Sequence, residues 1–214
     1  MQTELYSYQT SVLPEQGQYI IADTTATSIF VYQAYKPAIA EYAARHRRFG
    51  GPHFSFNRMT WIKPNFMWMM YRSGWAQKEN QERILRLELA MASFEDLLAQ
   101  AVPSSYTQGF FATREAWQEA VKDSDVRLQW DPDHAPDGSK LTRRAIQIGI
   151  RGHTFERLNR EFLLSVQDIT DFVKTQYRHV GTPHLMVPVE RVVNFSHRPD
   201  IITPIGLDSG SNNE

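Results

Sequence analysis

Cysteine is absent from the 214 residues, so no disulfide, thiolate metal site or thiol nucleophile can be built from this chain. Excess charge of either sign is also missing. The 23 Lys and Arg against 24 Asp and Glu leave a net charge of -1, so no global field draws the chain to nucleic acid or an anionic membrane. No run of about 18 apolar residues occurs, and the first twenty positions lack a basic stretch followed by an apolar one. These absences lead to the expectation of a non-secreted, cytoplasmic protein with no membrane partner. There is no G-x-S-x-G elbow, Walker loop or G-x-G-x-x-G turn, which leaves hydrolase, P-loop and Rossmann readings without their motifs.

What is present is an ordinary core supply, with 42% hydrophobic and 12% aromatic residues, enough for one compact domain. The boundaries read as a polar lead-in over 1–18, a globular domain over 19–198 and a flexible tail over 199–214 that ends in "LDSGSNNE". "SIFVYQAY", 28–35, is β-branched and aromatic and predicts a strand. Pro37 opens a helix that the paired glycines Gly50 and Gly51 close. "FNRMTWIK" predicts a second strand, and Pro64 to Gly74 a second helix. Two segments starting at Arg83 and Arg144 pass from period-2 alternation into helical spacing, as a strand running into a helix does. "VRLQWDPDHAPDGSKL" predicts a strand and then a loop, "LLSVQDITDFVKTQYRHV" a helix, and "HLMVPVERVVNF" one or two final strands. Strands and helices mingle without steady βαβ alternation, so the class is α+β.

The densest chemistry lies in "NRMTWIKPNFMWMMYRSGW", 57–75. Its apolar residues fall on every face of a helix, as in a buried one. Burial does not account for Arg58, Lys63 and Arg72, because cations are seldom buried without a partner. Either acidic side chains neutralise them or an anionic ligand does. Arg suits phosphate or carboxylate, and Trp61, Trp68 and Trp75 can stack on a flat ring.

Gln33 stands mid-strand on the face of Ile29 and Val31, either bonded to backbone or reading a ligand. Asp131, Asp133 and His134 sit where a turn or a hard cation would use them, and no metal template is met. Glu190 in "VPVERVV" reads by residue type as a solvated edge carboxylate.

Together "VYQAY", the 58–75 segment with its R-M-T-W-I-K-P signature, "QWDPDH", "RAIQIGI" and "VPVE" resemble a widespread microbial and fungal family of single-domain proteins of unknown function. That resemblance runs from about residue 20 to 195 and brings no activity with it. A second resemblance rests on the order of elements. A strand with Tyr32 and Gln33, a helix, a short strand with Thr60, another helix, a strand-helix unit and a late strand preceded by a glutamate look like the ADP-ribosyltransferase superfamily.

This likeness implies a split β-sheet with flanking helices and NAD as substrate, the ADP-ribose passing to a nucleic acid, nucleotide or protein. It assigns Glu190 and Gln33 to catalysis, although the superfamily usually offers His or Arg where this chain has Gln33. NAD would be bound by Tyr32, Arg58, Thr60, Trp61, Lys63, Tyr71, Arg72 and Ser73, the cations facing the diphosphate and Tyr71 or a tryptophan stacking on nicotinamide. The alternative is a non-catalytic module that binds nucleic acid or a nucleotide with the same aromatic and basic residues.

Overall fold

The computed structural model describes residues 1–106 and 110–208. In chain order the elements are β1 (Thr3–Leu5), α1 (Tyr6–Val12), β2 (Ile21–Ala22), β3 (Ser28–Tyr35), α2 (Pro37–His46), β4 (Thr60–Ile62) and α3 (Phe66–Ser73). Then come β5 (Arg83–Ala90), α4 (Met91–Gln100), β6 (Val102–Pro103), α5 (Arg114–Asp123), β7 (Val126–His134) and β8 (Lys140–Ile150). The chain continues with α6 (Gly152–Arg157), β9 (Leu163–Asp168), α7 (Thr170–Tyr177), β10 (Met186–Pro188), β11 (Arg191–Val192) and α8 (Pro199–Ile205). A π-helical turn, Leu158–Phe162, joins α6 to β9. The protein is thus α+β, as the mixed pattern predicts.

Two main sheets organise it. One is three-stranded and antiparallel in the order β3-β5-β9; the other runs β4-β8-β7-β6, with β6 alone parallel to its neighbour. Among the described residues their backbones are bridged where Tyr32 and Lys63 exchange hydrogen bonds of 2.7 and 3.1 Å. Past that bridge the backbones of β3 and β4 part. The Gln33 side chain takes over, its Nε2 donating to the Trp61 carbonyl at 3.1 Å and to Thr60 Oγ1 at 2.7 Å.

Both faces of the three-stranded sheet are covered. One face, with Ile29, Val31, Leu85, Leu87 and Leu89, joins a core shared with Val126, Leu128, Ile146, Ile148 and Ile150 of the second sheet. The opposite face, with Tyr32 and Ile84, packs under Phe66, Met67, Met69 and Met70 of α3 and Val173 of α7. Residues 28–33 are therefore buried without interruption, as in a sheet with no solvent-facing side.

Several expectations change. Residues 1–18 are no bare lead-in, because β1 pairs with β10 and α1 follows at once. The stretch beginning at Leu163 opens as a strand, β9, and becomes helical only at Thr170. The free edge of β5 supplies the partner that makes this segment extended, which no local pattern reveals. The second strand is shorter than 56–63, spanning Thr60–Ile62. Within the expected tail, Pro199–Ile205 form α8, which buries Ile201 and Ile205; positions 209–214 lie outside the described residues.

Candidate functional site

The parting of β3 and β4 opens a cleft of about 400 Å³. Gln33 and Tyr35 of β3, Thr60 and Trp61 of β4, Lys63, Arg72 of α3, Gln129 of β7 and Gln147 of β8 contribute to its wall, with Ala34, Met59, Met69 and Gln81 completing it. Five residues singled out from sequence, Gln33, Thr60, Trp61, Lys63 and Arg72, are thereby brought together. The expected segment 57–75 does divide at Lys63-Pro64, into a strand that borders the cleft and a helix that is mostly core.

Helix α3 is fixed at its start by two acceptors. Asn65 Oδ1 takes the Trp68 N–H at 2.7 Å as an N-cap, and Glu190 Oε1 takes the Phe66 N–H at 2.8 Å. Gly74, at φ 58°, ends the helix in the left-handed conformation that suits glycine. So anchored, α3 buries its Met and Phe side chains and leaves Arg72 in its last turn at the cleft.

Lys63 is 4% exposed, and its Nζ has no hydrogen-bond or carboxylate partner among the described residues. The nearest aromatic support is the Trp68 ring, whose centroid is 5.9 Å from Nζ. Burial and then the positive charge of Arg72 push the amine down to about 8, against a smaller opposing pull from Asp131. An unpaired buried ammonium facing a cleft favours an anionic ligand.

The glutamines are oriented. Gln33 gives its amide hydrogens to Thr60 and Trp61; since a backbone carbonyl can only accept, the nitrogen end is fixed. Gln129 and Gln147 each donate from Nε2 to Asp131, at 2.8 and 2.7 Å, one to each carboxylate oxygen. An ionised carboxylate only accepts, so these two amides are fixed likewise. Their Oε1 atoms receive no donor among the described residues. Gln33 Oε1 has only the Tyr35 hydroxyl at 3.4 Å, and that hydroxyl is closer to Thr60, at 2.7 Å.

The remaining expected residues lie elsewhere. Tyr32 is fully buried, its ring edge-on to Phe66 at 5.5 Å, and its hydroxyl is held well above the usual tyrosine range by burial and the Glu190 charge. Ser73 is also core, donating Oγ–H to the Met69 carbonyl at 2.9 Å. Tyr71 stacks on His134 at 3.4 Å and does not line the cleft. Arg58 is exposed and is likewise not in its wall. Trp68 and Trp75 are each 6% exposed, leaving Trp61 as the one of the three indoles that reaches the cleft.

Glu190 is not a solvated edge carboxylate but fully buried, beneath the start of α3 and outside the cleft wall. Burial drives its carboxyl well above the ordinary range, more than the Phe66 N–H offsets, and Oε2 has no partner. Asp133 pairs with Arg143 at 2.6 Å and the His134 ring stacks on Tyr71 at 3.4 Å, so the 131–134 acids and histidine point to separate tasks.

Sequence reasoning missed Gln129 and Gln147, and read Asp131 as a turn or cation residue rather than as the partner of these two amides. The available signal was a glutamine flanked by isoleucines in "RAIQIGI", the same anomaly that marks Gln33.

A family model described as a domain of unknown function, DUF4291, matches residues 19–193. The chain belongs to the DUF4291 family. The match spans nearly the range expected from the sequence motifs and covers both main sheets and the cleft between them. No match was found among curated proteins. Among the described residues of this DUF4291 protein, no helix is long and apolar enough to cross a membrane.

Proposed function

We propose that the cleft binds NAD, or a nucleotide with the same phosphoribosyl unit, and that the protein is ADP-ribosyltransferase-like. One observation carries this reading: Lys63 and Arg72 converge, without carboxylate partners among the described residues, on a polar cleft opened by the parting of two sheets. Lys63 and Arg72 suit a diphosphate, and the Trp61 indole suits a base or nicotinamide ring. The split arrangement, with Gln33 and Thr60 on the two parting strands, supports the ADP-ribosyltransferase likeness.

In this reading cleavage of the nicotinamide–ribose bond passes through an oxocarbenium-like state, which negative charge near the ribose stabilises. The cleft wall includes no Asp or Glu among the described residues. The carbonyl oxygens of Gln33, Gln129 and Gln147 then supply only dipoles, and Asp131 behind two of them supplies a negative charge. This observation favours a second reading, nucleotide binding without turnover. Glu190 has no part in either, since its carboxyl caps α3 in the core.

Thermal denaturation with NAD and with ADP-ribose tests the binding, because a ligand that binds only the folded state raises the melting temperature. A rise of several degrees at millimolar ligand is expected, on the order of that linkage. No shift with either compound would remove the proposal. Nicotinamide release with RNA, nucleotide and protein acceptors separates transfer from binding alone. Glu190→Gln is expected to leave ligand affinity unchanged, and a loss specific to this variant would return Glu190 to the site.

A further inference from the structure

Three of the four glutamines in the cleft wall, Gln33, Gln129 and Gln147, share one property. In each, the amide nitrogen is committed to the protein; among the described residues the carbonyl oxygen has no donor in Gln129 and Gln147 and only the long 3.4 Å contact of the Tyr35 hydroxyl in Gln33. For Gln33 both N–H groups are used, and for Gln129 and Gln147 one each is held by Asp131. Hydrogen-bonding chemistry fixes this orientation without appeal to the shape of the amide, since the Trp61 carbonyl and the Asp131 carboxylate cannot donate. Gln129 and Gln147 also face each other across β7 and β8 in direct register, so one carboxylate reaches both.

We infer that the cleft reads hydrogen-bond donors with these preset carbonyl oxygens while Lys63 and Arg72 take an anion. The ligand class is a phosphorylated sugar whose neighbouring hydroxyls meet the glutamines, and Asp131 is the positioning residue that sets two of the three. This rests on the nucleotide reading above and sharpens it, assigning the glutamines to the ribose rather than to a base. A flipped amide would present N–H, which loses the bond to an N–H group outright and meets a hydroxyl only through its oxygen lone pairs, so the preset oxygen favours a hydroxyl turned to donate.

Asp131→Asn tests the assignment. Asparagine can donate as well as accept, so it no longer dictates which end of Gln129 and Gln147 faces the cleft. Binding of ribose 5-phosphate, 2-deoxyribose 5-phosphate and inorganic phosphate would be followed by NMR titration of the full chain. The wild type should prefer ribose 5-phosphate over its deoxy counterpart by roughly fivefold, the scale of one net hydrogen bond. In Asp131→Asn that preference should fall to within about twofold, because the two amides lose their fixed orientation, while inorganic phosphate binds at least as tightly as before, since a negative charge near Lys63 is removed. A purely structural role for Asp131 would weaken all three compounds together.

Gln147→Met, which keeps length and removes the carbonyl, should give the same selective loss and serves if Asp131→Asn fails to fold. Phosphate binding with no preference for the ribose hydroxyl in the wild type overturns this inference and leaves the anion-binding cleft standing. Unaltered preference in both variants also overturns it. If neither ADP-ribose nor any of the three compounds binds, the nucleotide reading falls with it.

Discussion

Lys63 sets solvation against charge at the cleft. Its amine sits almost out of solvent beside a second cation, and the protein gives it no counter-ion among the described residues. In the unfolded chain it titrates at the ordinary 10.5, whereas in the folded state it titrates at about 8. Between those values the unfolded chain holds a proton that the folded one lacks, so this group makes stability rise with pH from about 8 to 10.5. Below that window the charged amine costs the folded state up to about 3 kcal/mol. Lys63→Met should therefore be more stable than wild type at pH 7, with the gap closing by pH 10.5. Urea unfolding of both proteins at the two pH values measures it, and a variant less stable at pH 7 refutes the account. The same charge should govern anion affinity, which is expected to fall in the wild type as pH rises through about 8.

Glutamines and acids tell how far single residues were legible. Gln33 drew attention because a polar residue inside an apolar strand needs a partner, and its partners are indeed on the neighbouring strand. Asp131 suggested a turn or a cation site because its neighbours in sequence are Pro and Asp. Its actual partners come from β7 and β8, sixteen positions away in the case of Gln147. Pairing across a sheet is set by register, which no local window contains. Glu190 was misleading for a related reason, since burial of a carboxylate under a helix start depends on how α3 docks.

At the scale of elements, strand β8 shapes the cleft by what it omits. Gly149 lies opposite Trp61 in the β4–β8 register. A Cβ there would stand 2.6 Å from the Met59 sulfur and 3.0 Å from two carbons of the Trp61 ring. The glycine thus lets the indole lie close on the sheet, where it borders the cleft together with Met59. Gly149→Ala should displace both side chains, costing about 1–3 kcal/mol of stability as overpacking does. Weaker NAD binding should accompany an altered tryptophan fluorescence spectrum. Full affinity with an unchanged spectrum would show that the indole is not set by this contact. Elements themselves were legible where pattern and packing agree, as in β3, found at Ser28–Tyr35 as expected. They were illegible where a strand exists because a partner edge is free, as in β9, whose one fully buried residue is Val166.

Across the whole molecule, residues 1–12 are stitched to residues 185–191, whose Glu190 reaches the start of α3. Strand β1 pairs with β10, and the Tyr6 N–H donates to the Leu185 carbonyl at 2.9 Å. Glu4 forms an ion pair with Arg191, and the buried Gln9 accepts the Glu190 N–H at 2.8 Å. Residues 1–12 thus hold in place the segment whose Glu190 carboxyl caps Phe66, although they precede the region matched by the family model. Deleting residues 2–12 would strip β10 of its strand partner and leave the Glu190 N–H, now buried, without an acceptor. Each unmet buried polar group costs about 1–3 kcal/mol, so a loss of at least about 3 kcal/mol is expected from the deletion. The cleft is walled mainly by residues of β3, β4, α3, β7 and β8, and none of its lining residues comes from the deleted segment. The shortened protein should accordingly melt lower yet bind NAD with affinity within about threefold of wild type at a temperature where it is folded, as expected for sites that share no partners. Loss of binding with retained fold would mean that the stitch, through Glu190 and α3, sets the position of Arg72 in the cleft.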